Sequence, residues 1–169
     1  MYDKFNVKSH IGEYCVEFYS NISDLENIIN NPKTFFVIDK QVYDIYYPVI
    51  SKFIKNNKYI IIESNEKNKS FEELVKVYEY LIEKRIRRGQ NLTAIGGGII
   101  QDITCFIAST LFRGLEWNFI PTTLLAQADS CIGSKSSINL GSSKNILGTY
   151  CPPKKIYICE KFLNSLDKK

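Results

Sequence analysis

Short apolar runs alternate along the chain with longer stretches of periodic apolar and polar positions. Tyr14 to Tyr19 (YCVEFY) alternates in part and reads as a strand. Ser23 and Glu26 have capping-box spacing ahead of Leu25, Ile28 and Ile29, so a short helix is expected there. TFFVID, from Thr34 to Asp39, is a continuous apolar run closed by a carboxylate, which suits a strand buried on both faces. Val42 to Ile54 reads as helical, with Pro48 predicted to kink it. Tyr59 to Ile62 (YIII) is the next buried strand. Ser70 and Glu73 form a second capping box, and Phe71, Leu74, Val75, Tyr78, Leu81, Ile82 and Ile86 then share one face at three- and four-residue steps. That helix is expected to end at Gly89.

Leu92 to Ile95 is a further strand, running directly into Gly96, Gly97 and Gly98. Ile99, Ile100, Ile103, Phe106, Ile107 and Leu111 then mark a largely buried helix, and Trp117 to Ile120 a short strand closed by Pro121. Residues 121 to 153 are small, polar and glycine-punctuated, without a clear period. A segment of that length without elements of its own is usually functional or disordered; Leu124, Leu125, Ile132, Ile138 and Ile146 argue against disorder. Ile156 to Ile158 reads as the last strand. Strands alternating with helices predict one α/β domain with a mostly parallel sheet.

Composition narrows the function classes. The 169 residues are 44% hydrophobic and 24% charged, ordinary for a globular chain and unlike a disordered or collagen-like one. No apolar run approaches the roughly 20 residues needed to span a bilayer. The start, MYDKFNVKSH, lacks the apolar core of a secretory signal, so a cytoplasmic location is expected, with the five cysteines as free thiols. Net charge is +4, and the dense basic group Lys84, Arg85, Arg87 and Arg88 sits where cations favour a helix end. Neither nucleic acid nor membrane is an expected partner. With one histidine, His10, and no C-x-x-C pair, neither a zinc site of the usual Cys and His composition nor a Ser-His-Asp triad is expected.

Candidate chemistry gathers in two places. Strand, Gly96-Gly97-Gly98, then helix lets backbone N–H groups approach a phosphate. The spacing is not G-x-G-x-x-G, and a plain tight turn would also use three glycines. Asp102, expected in the first turn of the following helix, is either a dipole-favoured carboxylate or a cofactor contact, and Asp39 at the end of its strand admits the same two readings. Between 113 and 145, Arg113, Asp129, Lys135, Lys144 and Asn145 bring three cations, a carboxylate and an amide into a glycine-bent segment. Such a set suits a phosphorylated, polyhydroxylated substrate, and equally a solvated loop.

Gly96-Gly97-Gly98, Arg113-Gly114, PTTLLAQADS from Pro121 to Ser130, Gly133-Ser134-Lys135, and Lys144-Asn145 with Gly148 together resemble the 3-dehydroquinate synthase family in order and spacing. The resemblance covers roughly residues 34 to 166. It implies a Rossmann-like sheet, here a single NAD-binding domain over 1–169, and an enzyme dependent on NAD and on zinc or another divalent metal. That family converts DAHP, a seven-carbon keto-acid phosphate, into 3-dehydroquinate in the shikimate pathway, as a carbon–oxygen lyase without net redox. By the same resemblance Asp39, Glu66, Lys69, Gly97, Gly98, Asp102, Thr122, Thr123 and Leu125 contact NAD, with Ser165 where the family has a threonine. Asp129, Lys135 and Asn145 hold the substrate, Lys144 lies between cofactor and substrate, and Arg113 meets the phosphate across a homodimer interface.

Departures from the pattern are Gln101 and Cys105 in place of two glycines, Ser134 within Gly-Ser-Lys, and Ser136-Ser137 for a Thr-Gly pair. They put the substrate in question, because other sugar-phosphate cyclases share the scaffold. The family's metal ligands lie in a helical C-terminal domain beyond the last residue here, so the chain is expected to be the cofactor-binding half and inactive alone. A non-catalytic NAD-binding module and a metal-dependent alcohol dehydrogenase are the alternatives. The retained Asp129, Lys135, Lys144 and Asn145 count against the first, and PTTLLAQADS followed by Gly-Ser-Lys and Lys-Asn against the second.

Overall fold

The computed structural model describes residues 3–26, 31–54 and 58–166. Seven strands form one sheet in the order β1-β2-β9-β6-β5-β3-β4: β1 (Lys4–Ser9), β2 (Gly12–Tyr19), β3 (Thr34–Asp39), β4 (Lys58–Ile62), β5 (Asn91–Gly96), β6 (Glu116–Pro121) and β9 (Lys155–Cys159). All neighbours are parallel except β1, which forms a hairpin with β2. β7 (Lys135–Leu140) and β8 (Ser143–Tyr150) make a separate antiparallel pair. Among the described residues three α-helices flank the sheet: α1 (Lys40–Ile54), α2 (Phe71–Glu83) and α3 (Gly98–Thr110).

Strand β3 buries both faces, as its continuous apolar pattern requires, whereas β4 at the sheet edge fully buries only Ile62. Along β3, Phe35 and Val37 join the core formed with α2 and α3, while Phe36 and Ile38 join the core formed with α1. In register, Ile38 lies beside Ile95 and Ile95 beside Ile120. These residues are 0–1% exposed, so the centre of the sheet is a rigid platform for whatever its carboxyl ends carry.

Helix α1 begins at Lys40, two residues ahead of the expected start, and its kink falls at Tyr46 (φ −106°, ψ 18°). Pro48 is the cause: it has no N–H for the carbonyl four residues back and its ring crowds that group. The cap half of the Ser70 box forms, Ser70 Oγ accepting from the Glu73 N–H at 3.4 Å, while the Glu73 carboxylate turns to Lys76 and the Ser70 N–H bonds to Lys67 O. Ser70→Ala is therefore expected to lower stability by about 1 kcal/mol, read as a shift in the urea midpoint; an unchanged midpoint would show that the cap contributes nothing.

Other expectations need correcting. The Ser23 box does not form: Asn21 takes the cap position of a short 3-10 turn, Ile22–Leu25; Ile28 and Ile29 lie outside the described residues. Helix α2 stops at Glu83, well before Gly89. Arg85 adopts φ 58°, its N–H bonds to Ile82 O at 2.9 Å, and the Ile86 N–H bonds to Leu81 O at 3.1 Å. That is a Schellman ending with arginine where glycine is usual, sealed by the buried pair Ile86 and Leu81. The face of α2 that packs is Leu74, Val77 and Leu81, leaving Phe71, Val75 and Ile82 exposed.

The basic group is dispersed: Lys84 Nζ sits 5.2 Å from the Tyr80 ring centroid, and Arg88 donates to Phe112 O at 3.0 Å. No helix among the described residues is long and apolar enough to cross a membrane.

Residues 121–153, aperiodic to a hydrophobicity count, contain a π-helical turn (Ala126–Ser130) and the β7–β8 hairpin. Only Ile138 among the five apolar residues singled out there is buried; Leu124, Leu125, Ile132 and Ile146 are exposed.

Candidate functional site

The chain passes from β3 outward to β4, then returns to lay β5 on the other side of β3. Strand order therefore reverses between β3 and β5, the position at which open α/β sheets form a crevice beyond their carboxyl ends. Asp39 ends β3, Gly96 ends β5 and Pro121 ends β6. Beside these strand ends lies a cleft of about 450 Å³ whose walls include Asp39, Gln41, Tyr46, Thr122, Thr123 and Ser165.

Each wall group is fixed from its own element. Asp39 is 6% exposed and accepts from the Gln41 N–H at 2.9 Å, which leaves its second oxygen oriented by the first. The Thr122 N–H bonds to Gly96 O at 2.9 Å, tying the strand ends together. Ser165 Oγ accepts from the Tyr46 hydroxyl at 2.9 Å and donates to Phe162 O at 3.0 Å. Gln41 and Tyr46 were not marked from the sequence; both follow β3 closely, and their place at a strand carboxyl end was the available signal.

The glycines divide by what surrounds them. A Cβ on Gly96 would lie 2.7 Å from Ile100 Cγ1, and one on Gly97 would lie 2.9 Å from Thr123 Cγ2, so both permit close packing of the turn. A Cβ on Gly98 would meet nothing within 4 Å. Gly98 opens α3, where first-turn N–H groups have no partner within the helix and the dipole favours an anion. The result is an open cradle at a helix N-terminus.

Beside the cradle lies a polar network joining three separated segments. Lys69, 7% exposed, places Nζ 2.7 Å from Asp102 Oδ2. Asp102 also accepts from the Ser137 N–H at 3.1 Å and from Ser137 Oγ at 3.2 Å. Ser137 Oγ is 3.0 Å from Asn145 Oδ1, the Asn145 N–H donates to Asn139 Oδ1 at 2.8 Å, and Asn139 Nδ2 donates to Glu66 Oε2 at 3.0 Å. Glu66, Lys69, Asp102 and Asn145 thus meet through Ser137 and Asn139. Neither of those two was singled out as a site residue; both lie on β7 (KSSINL), whose polar run carries no local sign of contact with Asp102 or Glu66.

Asp102 lies in the second turn of α3, not the first, and its carboxylate is held by Lys69 rather than by the helix dipole alone. Of the two substituted glycine positions, Gln101 is accommodated by Ser130: its Nε2 donates to Ser130 O at 2.6 Å and its Oε1 accepts from Ser130 Oγ at 2.9 Å.

Asp129, Lys135, Lys144 and Leu125 are exposed, on the π-helical turn, at the start of β7, on β8 and just ahead of that turn. The three charged groups have no ion pair among the described residues. Arg113 is not brought to the others. It lies beyond the far end of α3, a 13-residue helix, so about 20 Å separates it from the Gly98 cradle. Phe112, Arg113 and Gly114 all have positive φ there (56°, 68° and 124°).

A parallel sheet covered on both faces, with a glycine cradle and a buried ion pair at its switch point, defines an open α/β unit built to bind a ligand at strand carboxyl ends. The model of the 3-dehydroquinate synthase N-terminal family matches residues 59–169, and the chain belongs to that family. The 3-dehydroquinate synthase of Clostridium tetani is 36% identical over 162 residues, covering 95% of this chain and 43% of that protein. That of Chlamydia caviae is 38% identical over 171 residues, covering 99% and 44%. The chain therefore spans less than half the length of these curated relatives.

Among solved structures, 2-epi-5-epi-valiolone synthase from Streptomyces hygroscopicus, with NAD+ and Zn2+ bound, superposes with a TM-score of 0.82 at 27% identity, over 95% of this chain and 46% of that one. A 2-deoxy-scyllo-inosose synthase shares the fold, with a TM-score of 0.84 at 23% identity, over 97% and 49%.

Proposed function

We propose that this chain is the cofactor-binding unit of a 3-dehydroquinate synthase, which converts DAHP to 3-dehydroquinate with NAD and a divalent metal. The observation that carries the reading is the Gly97–Gly98 cradle at the head of α3, where Thr123 closes one side and the other stands open. It fits the diphosphate of a dinucleotide, which needs close backbone approach and a helix N-terminus. Bound NAD+ supplies reversible acceptance of hydride from a secondary alcohol.

In this reading Asp39 accepts from ribose hydroxyls. The backbone at Gly97 and Gly98 takes the diphosphate, and Thr122, Thr123, Leu125 and Ser165 line the remaining length. Glu66, Lys69 and Asp102 complete the cofactor side, with Asp102 held in orientation by Lys69 and Ser137. Lys144 reaches between cofactor and substrate. Asp129, Lys135 and Asn145 hold the hydroxyl and carboxylate groups of the substrate. Arg113, distant from its own cradle, meets the phosphate of a substrate bound to a second protomer.

No group of three or more His, Cys, Asp or Glu side chains among the described residues is placed to hold a metal ion. The described residues therefore offer a divalent metal no donor set of that kind.

Calorimetric titration with NAD+ in metal-free buffer tests the reading. Saturable binding is expected for the chain as it stands. In Gly98→Ala the added methyl fills only open space, so the urea midpoint should hold or rise, while affinity falls by about tenfold or more as the methyl displaces a phosphate oxygen. Equal affinity in parent and variant would remove the cradle from the cofactor site.

A further inference from the structure

The folded chain brings together two cysteines that stand 46 residues apart. Cys105 lies on α3 and is 1% exposed. Cys151 directly follows β8 and is partly exposed, at the wall of a second pocket of about 260 Å³ formed with Gly12, Gly114, Trp117 and Lys154. Cys105 Sγ is 3.3 Å from the Cys151 carbonyl oxygen, so its thiol reaches the backbone of Cys151 itself. Trp117 Nε1 donates to that same carbonyl at 3.0 Å and fixes the backbone there. A thiol reachable from a pocket thus has a second, sealed thiol immediately behind it.

We infer that Cys151 and Cys105 form a peroxide-reactive pair, with Cys151 attacking and Cys105 resolving to a disulfide that fastens α3 to the segment after β8. The charge environment favours that order. The hydrogen bond from Cys105 lowers the Cys151 thiol to about 7 against the opposing effect of burial, with Trp117 and Lys154 assisting. Carboxylates Glu13 and Glu116 also border the pocket, and Glu116 lies 3.5 Å from Lys154 Nζ. The interaction with Cys151, and then burial, hold Cys105 well above the usual thiol range, so it remains a proton donor.

In the first step the Cys151 thiolate attacks one peroxide oxygen; the S–O bond forms, the O–O bond breaks, and hydroxide leaves to be protonated. The Cys105 sulfur then attacks the sulfenic sulfur; the S–S bond forms, the S–O bond breaks, and water leaves with the Cys105 proton. Two thiols are oxidised by two electrons, and hydrogen peroxide is reduced to two waters. Nothing in this inference depends on the cofactor reading.

The test is limited hydrogen peroxide treatment of the 169-residue chain, alkylation with N-ethylmaleimide, then non-reducing trypsin digestion and mass spectrometry. Cys105 and Cys151 fall in different tryptic peptides, residues 89–113 and 145–154. The expected product is their cross-link, reversed by dithiothreitol. Without peroxide, Cys151 should be alkylated about tenfold or more faster than Cys131, whose thiol burial pushes up to about 11. Cys105→Ser should leave a Cys151 sulfenic acid that dimedone captures. Cross-links to Cys131 or Cys159 in comparable yield, or Cys151 oxidised to sulfinic acid with Cys105 still alkylated, would overturn the pairing. So would five intact thiols after peroxide.

Discussion

Asp102→Ala is expected to lower the unfolding free energy by about 3–5 kcal/mol, the usual cost of leaving one member of a buried ion pair alone. Lys69 keeps an ammonium that is 8% exposed and loses the carboxylate 2.7 Å away. The Ser137 N–H and hydroxyl lose their acceptor in the same change. Urea unfolding followed by circular dichroism measures the loss, and a drop below about 1 kcal/mol would mean that water replaces the carboxylate at little cost.

The double variant Lys69→Met, Asp102→Leu separates stability from binding. An apolar pair of similar volume can restore most of the stability of a buried ion pair. It restores neither charge, so NAD+ binding should stay weak even where folding recovers. Undiminished NAD+ binding by a well-folded double variant would remove both residues from the cofactor site.

The second large effect is expected at Gly148. A Cβ there would lie 2.3 Å from the Ser136 carbonyl oxygen, a backbone atom that cannot rotate away. Gly148 faces Ser137 across β7 and β8, so Gly148→Ala must spread the hairpin where Ser137 reaches Asp102. The expected loss is about 1–3 kcal/mol, the range for overpacking a fitted site. Hydrogen exchange should localise it: amides of Ile138 and Leu147 lose protection, while those of Val37 and Ile95 in the main sheet keep theirs. Uniform protection across both sheets would show that the hairpin absorbs the methyl without opening.

What could be read from the sequence follows from which signals are local. TFFVID announced a strand buried on both faces because every one of its side chains has a partner layer. Ser70 and Glu73 announced a helix start because the cap needs only four consecutive residues. The resemblance located the cradle, Lys69, Asp102 and the lysines by motif, without showing which of them touch. Strand β1 escaped notice because the alternation of KFNVKS rests on Phe5 and Val7 alone and most of its length is solvent-exposed. Strands β7 and β8 escaped because polar Ser136, Asn139 and Thr149 share the inward positions with Ile138 and Leu147, which leaves little hydrophobic period.

Helix α2 ended early because Arg85 occupies a backbone region that composition assigns to Gly89. The pairing of Lys69 with Asp102, the bridging by Ser137 and Asn139, and the meeting of Cys105 with Cys151 join segments far apart in sequence. Only the packed chain shows them.

The contrast between Gly98 and Gly148 reaches beyond either position. Gly148 is required by a neighbouring backbone oxygen, so a library screened only for heat resistance would retain it. Gly98 borders open space, and the same screen would accept alanine there and discard the glycine. Thermal selection applied to this domain would thus erode the ligand cradle while reporting steady improvement. Any engineering of the scaffold has to include a binding readout from its first round.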